Sequence, residues 1–383
     1  MTDIVTAAHD FAPSLAGRSD EIESARRLPP DIAQGMAKAG LFRALVPKSL
    51  GGHEARPDAL AEMIEMIARA DASTAWCLMI GSTTALNAAY LPLDEARTIY
   101  GAPDAIACGV YAPLGRAIPD GDDYIVTGRW AWGSGTQNAH WIAGGAFVMD
   151  GEKPALGPDG APYQRMIMFK AEDVTFHDTW HVMGLKGTGS LDFSVEGVRV
   201  PKSRSVSLIH DKPRESGPLY RFPPFGLLGM GIAAVALGNA AGALDSFRDL
   251  ATSKKPAASR RTLAERAHTQ MTFAESFAAH AGARAFYYAA IADAWSDAEA
   301  GNAISLDKRA KLRLAATHAT RTCAKICSDL HDLAGGSAVY LNNPLQRRFR
   351  DSHVMTQHMM VAPPTLEVAG RALLGLPTED SML

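Results

Sequence analysis

Leu60, Met63, Ile64 and Ile67 recur at steps of three and four in ALAEMIEMIARA, the spacing that places apolar side chains on one face of a helix. Asp58 stands where it can cap that helix, and an earlier one, PDIAQGMAKAG, is opened by Pro29 and Pro30 and closed by Gly40. STAWCLMIGSTTALNAAY is apolar on nearly every side, which predicts a buried helix. Helical spacing thus holds over residues 1–103. Over 104–215 the period falls to two and turn residues multiply, so that DGDDYIVTGRWAWGSG, HWIAGGAFVMDG, RMIMFKAEDVTF and LDFSVEGVRVP read as strands. PKSRSVSLIHDKPRESGPLYRFPP leads out of this unit. Helical spacing then returns and fills 216–383 in lengths suited to a bundle, as in AERAHTQMTFAESFAAHAGARAFYYAAIADAW. The pattern predicts an α+β chain with a β unit inserted between helical ones, and it shows no internal repeat.

One helical stretch carries two further readings. FGLLGMGIAAVALGNAAGAL, residues 225–244, is long enough to cross a bilayer and holds Asn239 as its one strongly polar residue. It is rich in Gly and Ala, which are small and weakly hydrophobic. A helix apolar all round is equally at home in the centre of a large bundle, so no membrane span is expected. Gly229, Gly231 and Ala234 have the GxGxxA spacing of a dinucleotide loop, but no strand precedes them and no βαβ unit surrounds them.

Composition narrows the partners. At 383 residues, 47% hydrophobic and 21% charged, the chain is long enough for two or three units sharing one core. Lys+Arg 38 against Asp+Glu 41 gives a net charge of -3 and no basic face, which sets nucleic acid aside and points to a small molecule. Cys77, Cys108, Cys323 and Cys327 are too few for a disulfide framework and fit a reduced, cytoplasmic protein, with Cys323 and Cys327 sharing a helix face in the core. The N-terminus has no apolar run of signal-peptide type. His177, Asp178 and His181 in HDTWH lie at a strand edge, where an HxxxH spacing does not aim both rings at one metal. A GxSxG elbow, a Walker loop and paired CxxC motifs are all missing.

Three stretches in order, AGLFRALVPKSLGG, TGRWAWGSGTQNAHW and AGGSAVYLNNPLQRRFRD, resemble the acyl-CoA dehydrogenase superfamily over nearly the whole chain. The last is the most specific, with Gly335, Gly336, Pro344, Arg350 and Asp351 at the family's spacing. The resemblance implies an N-terminal helical domain (1–103), a central β-barrel-like domain (104–215) and a C-terminal four-helix bundle (216–383). It further implies a flavin held between the β domain and the bundle, with Gly335 and Gly336 on the cofactor. The expected assembly is a homo-oligomer, usually a tetramer, in which a neighbouring subunit helps to cover the flavin.

Many members of that superfamily carry a catalytic glutamate a short way beyond the Arg-Asp pair, at the position of Met359 here. Methionine takes up no proton, and no Asp or Glu stands between Asp351 and Glu367. His358 stands beside that position, and its place resembles that of a histidine in the two-component flavin-dependent monooxygenases that hydroxylate aromatic compounds. In that branch a separate NAD(P)H-dependent flavin reductase delivers reduced flavin, FAD or FMN, which reacts with O2 to a C4a-hydroperoxide near the histidine. An imidazole suits that place because it donates a hydrogen bond and exchanges a proton near neutral pH. Trp130, Trp132, Ser134, Gly135 and Trp141 resemble the same branch, implying that Ser134 meets the flavin N5 edge and that Trp132 packs against the ring. Thr188 and Ser190, in GTGS, read as turn residues with a weak claim on the flavin. Asp332 and Ala338 depart from the FAD-binding pattern, which leaves FMN open.

The pocket implied by the resemblance would be lined by Trp76, Asn87, Tyr111, Met355 and Met359, with Tyr111 also on the flavin. Aromatic and methionine side chains suit a flat phenolic, indolic or polycyclic substrate and keep water out. The expected activity is aromatic hydroxylation. The alternatives are an acyl-CoA dehydrogenase or oxidase with a displaced glutamate, an N-oxygenase with a polar pocket, and a flavin-binding protein without chemistry.

Overall fold

Six helices come first in the computed structural model, which describes residues 3–256, 259–379 and 383: α1 (Ile4–Phe11), α2 (Ser19–Ala25), α3 (Pro30–Lys38), α4 (Pro57–Ala70), α5 (Ala72–Thr84) and α6 (Leu93–Tyr100). Leu60, Met63, Ile64 and Ile67 of α4 are all buried, as their spacing predicts. The helix opens one residue earlier than Asp58. Pro57 takes the first helical position, where it has no amide hydrogen to satisfy and its φ is already helical. Asp58 therefore sits in the first turn, its carboxylate on Arg56 and on the amide of Ala59. α5 is enclosed along its length and is capped by Asp71, which accepts from the amide and hydroxyl of Thr74, both at 2.8 Å. It runs on into a 3-10 turn, Ala85–Ala89, that carries Asn87.

The middle of the chain forms an eight-stranded sheet. Its strands are β1 (Ala107–Asp120), β2 (Asp123–Trp130), β3 (Trp141–Asp150), β4 (Lys153–Pro154), β5 (Gln164–Lys170), β6 (Thr175–His177), β7 (Asp192–Pro201) and β8 (Ser205–Val206). They lie in the order β6-β7-β2-β1-β3-β5-β8, with β4 beside β3. β1 is the longest strand and carries no clean alternation in the sequence, because Gly109, Pro113, Gly115 and Pro119 look like breakers. The structure accommodates them by shifting the register against β3 on both sides of Pro113. Trp130 explains the glycines around it. Its indole fills the sheet so closely that a Cβ on Gly115, Gly128 or Gly144 would stand 2.5, 2.7 or 2.8 Å from a ring atom. Nε1 of Trp130 donates to the carbonyl of Gly145 at 2.7 Å, and Phe193 stacks on the ring.

Five helices complete the chain: α7 (Pro224–Ser253), α8 (Ala267–Ala300), α9 (Leu306–Ala334), α10 (Pro344–Met355) and α11 (Pro364–Leu373). α7 contains the apolar run, and most of that run is enclosed by neighbouring helices. Its small residues serve close approach. A Cβ on Gly238 would stand 2.6 Å from Cβ of Ala68 on α4, and one on Gly231 would meet Met79 of α5. Gly229, Gly231 and Ala234 thus lie inside a helix, not in a phosphate loop. Cys323 and Cys327 are buried thiols on α9.

Candidate active site

His358 lies in the tight turn that follows α10, where its amide donates to the carbonyl of Met355 at 3.2 Å. Within the same turn the amide of Met360 donates to Nδ1 at 3.2 Å. A ring nitrogen that accepts an N–H carries no hydrogen itself, so the neutral imidazole has its hydrogen on Nε2. Nε2 makes no hydrogen bond to a described residue, which leaves it able to donate. Burial, seconded by the nearby Arg313 guanidinium, lowers the pKa of His358 to about 4 and keeps the ring neutral at neutral pH. Trp76 of α5 meets this ring edge-on, with centroids 5.9 Å apart. The arrangement supplies a neutral hydrogen-bond donor beside an aromatic wall. Among the described residues no carboxylate pairs with His358.

Ser134 is buried behind Trp76. Nε1 of Trp76 donates to its hydroxyl at 3.1 Å, and Ser134 Oγ lies 2.6 Å from Ser190 Oγ. Its amide donates to the carbonyl of Trp132 at 2.8 Å. Trp132 contrasts with its neighbour Trp130. It has a φ of 65°, which side chains other than glycine seldom adopt, and its indole is 72% exposed. Such strain is held in place by flanking bonds, among them the amide of Gly133 on the carbonyl of Leu191 at 3.0 Å.

The other expected residues fall in different settings. Tyr111 of β1 sets its ring edge against Phe225 of α7 at 5.1 Å, and burial raises its hydroxyl pKa, so the phenol stays protonated. Asn87 is buried, its amide 3.9 Å from Sδ of Met168. α7 joins this cluster to His358: one turn beyond Phe225, the Cβ position of Gly229 is 3.8 Å from the carbonyl of Met360. Met355 has no exposed surface and packs beneath the turn, whereas Met359 is 62% exposed. Gly335 and Gly336 end α9 in open space, with no atom within 4 Å of an added Cβ, and Lys254 places its ammonium on the carbonyl of Ala334 at 2.7 Å. In HDTWH, His177 bonds Ser194 and Asp178 pairs with Arg26.

Two residues matter that no motif singles out by role. Arg313 of α9 is buried, donates to Met360 and supplies the charge acting on His358. Asp351 is buried on α10, accepts from the amide of Leu185 at 2.6 Å, and has its pKa raised to about 7 by burial. The sequence signal for Asp351 is its place in the Arg-Asp pair; for Arg313 it is only an arginine in an alanine-rich helical stretch.

A helical unit, a sheet and a helical bundle in this order make up the scaffold of acyl-CoA dehydrogenases, here with Met359 at the expected carboxylate position and His358 beside it. The chain belongs to the acyl-CoA dehydrogenase family: residues 2–92 match the family's N-terminal domain and residues 230–363 its C-terminal domain. An indole-3-acetate monooxygenase of Acinetobacter baumannii is 33% identical over 93% of this chain and 90% of its own length. The oxygenase component of an FADH2-dependent resorcinol hydroxylase from a Rhizobium species is 28% identical over 93% and 90%. The crystal structure of a 3-HSA hydroxylase from a Rhodococcus species superposes with a TM-score of 0.91 at 26% identity, covering 100% of this chain and 99% of that one.

Proposed function

We propose that this protein is the oxygenase component of a two-component flavin-dependent monooxygenase that hydroxylates a small phenolic or indolic compound. One observation carries the reading. His358, neutral and with its Nε2 hydrogen free, stands edge-on to Trp76, next to the position, here Met359, where a dehydrogenase of this family carries its carboxylate. The relatives supply its terms, since one is named for indole-3-acetate and another for FADH2 and a separate component.

The residues present fit a flavin. Trp132 offers an uncovered indole to a planar ring, and the open Gly335-Gly336 turn beside Lys254 offers backbone and positive charge to a phosphate. Trp132, Tyr111, Ser134, Gly335 and Gly336 would hold it. When bound, reduced FAD or FMN would supply two electrons that activate O2, one atom of which would go to the ring and the other to water. The chain's own residues do the rest. Trp76, Asn87 and Met359 receive the aromatic substrate, and Met355 supports the turn from below. His358 donates from Nε2 and holds that hydrogen at neutral pH. Ser134, whose own hydrogen goes to Ser190, has only a lone pair to offer. That complements the N5–H that reduced flavin carries and oxidised flavin lacks.

The reading includes a cytoplasmic setting, in which an NAD(P)H-dependent reductase supplies the flavin and the four buried thiols stay reduced. It also includes a homo-oligomer, usually four chains. The outer face of α8 exposes Phe277 and Phe286 among Ala278, Ala281, Gly282 and Ala285, an apolar surface that a second copy of the same helix would cover.

The test is turnover of indole-3-acetate and simple phenols with a flavin reductase, NADH and 18O2. One 18O atom per product molecule, with NADH consumed nearly one to one, is expected. Release of H2O2 alone from every aromatic probe, together with bleaching of bound flavin by an acyl-CoA, would overturn the reading in favour of a dehydrogenase.

A further inference from the structure

A row of hydrogen bonds connects the Trp76 indole to the turn before β7. Nε1 of Trp76 is 3.1 Å from Ser134 Oγ, Ser134 Oγ is 2.6 Å from Ser190 Oγ, Ser190 Oγ is 2.6 Å from Thr188 Oγ1, and Thr188 Oγ1 is 2.8 Å from the carbonyl oxygen of Leu185. All four side chains are buried. The two ends set the direction of the row, because an indole N–H only donates and a carbonyl only accepts. Each hydroxyl has one hydrogen. Thr188 gives its hydrogen to Leu185 and so accepts from Ser190. Ser190, its hydrogen spent, accepts from Ser134, and Ser134 accepts from Trp76. A single head-to-tail arrangement satisfies every group, and bonds aligned in this way strengthen one another.

The far end is held as firmly as the near one. Leu185 has a φ of 51°, its carbonyl also accepts from Nε1 of Trp180 at 3.1 Å, and its amide donates to Asp351 at 2.6 Å. Asp351 lies on α10, which leads into the turn bearing His358. The connections therefore close a ring, from His358 to Trp76, through the three hydroxyls to Leu185, and by Asp351 and α10 back to His358.

We propose that Ser190, Thr188 and Asp351 are positioning residues that act through Ser134 to hold the Trp76 indole edge-on against His358. All three side chains are buried. The consequence for turnover rests on the monooxygenase reading, but the positioning itself does not.

The experiment uses flavin-free protein labelled with 15N at the indole nitrogens. The six tryptophans give six indole N–H signals, and Trp76→Phe identifies one of them. Thr188→Val keeps the shape of the side chain and removes only the hydroxyl, and Ser190→Ala breaks the row in the middle. In both, the Trp76 signal is expected to move and its exchange with water to rise about tenfold, the size of one net hydrogen bond. Thr188→Ser restores the wild-type signal. An unmoved Trp76 signal in Thr188→Val, with the other five signals intact, overturns the proposal. Should Ser190→Ala fail to fold, the isosteric Thr188→Val carries the test. Loss of aromatic hydroxylation in the wild type with the signals behaving as expected would sink the functional reading and leave the positioning standing.

Discussion

His358 owes its character to two neighbours, one close in the chain and one brought close by the fold. Met360, two residues on, fixes which nitrogen bears the hydrogen, and Arg313, on another helix, opposes a second positive charge. We expect His358→Ala to bind flavin as the wild type does, yet to lose product yield per reduced flavin by about a hundredfold, the low end for a positioned proton donor. The missing yield should return as H2O2, measured by a peroxidase-coupled assay. The pH behaviour has a definite sign. An unfolded histidine titrates near 6.5, while this one titrates at about 4 in the folded chain. Below pH 6.5 the unfolded chain therefore binds the extra proton, and stability attributable to His358 falls as the pH drops from about 6.5 to about 4. Above 6.5 the group adds no slope. His358→Gln should remove this contribution, so that denaturant midpoints fall less than in the wild type as the pH drops across that interval, and the His358 imidazole itself adds no inflection near 6.5 to product yield. Ser134 yields a related expectation: because its hydrogen goes to Ser190, a flavin N5 edge that meets Ser134 should bind more tightly when reduced, with an N–H to donate, than when oxidised, a difference readable by anaerobic titration.

At the scale of elements, close approach decides more than hydrophobicity does. α4 and α7 touch where Gly238 meets the carbonyl of Glu65 and Cβ of Ala68. Gly238→Ala should destabilise the fold by about 1–3 kcal/mol, the range for overpacking, seen as a lower urea midpoint with an unchanged slope. The spacing of Leu60, Met63, Ile64 and Ile67 revealed α4 in the sequence because one of its faces is wet and the other dry. α7 revealed its length but not its surroundings, since a helix apolar on every side looks the same in a bilayer and in a core. β1 was hidden altogether. Pro113 forbids a regular ladder, and only the bulged pairing with β3 makes a strand of that stretch. His358 and Ser134 stand out in the sequence only by resemblance, as candidates, whereas Arg313 and the row through Ser190 and Thr188 join segments far apart in the chain and leave no periodic trace.

Among the described residues, α8 presents an apolar face to the exterior. Light scattering behind a sizing column should read a multiple of 40.8 kDa, four chains being expected, and Ala281→Arg should lower that multiple. A single-chain mass in the wild type would remove the oligomer from the functional reading. By itself the amino-acid order determined the helical, β and helical succession and the buried face of α4, because periodicity is a local property of a chain, and it fixed the absence of any carboxylate between Asp351 and Glu367. Tertiary structure alone decided which ring nitrogen of His358 carries the hydrogen, that Trp130 is sealed in the sheet while Trp132 is bare, and that Ser134 can only accept. Those depend on which groups from distant segments come within hydrogen-bonding distance, and on the direction in which a fixed number of hydrogens can then be shared.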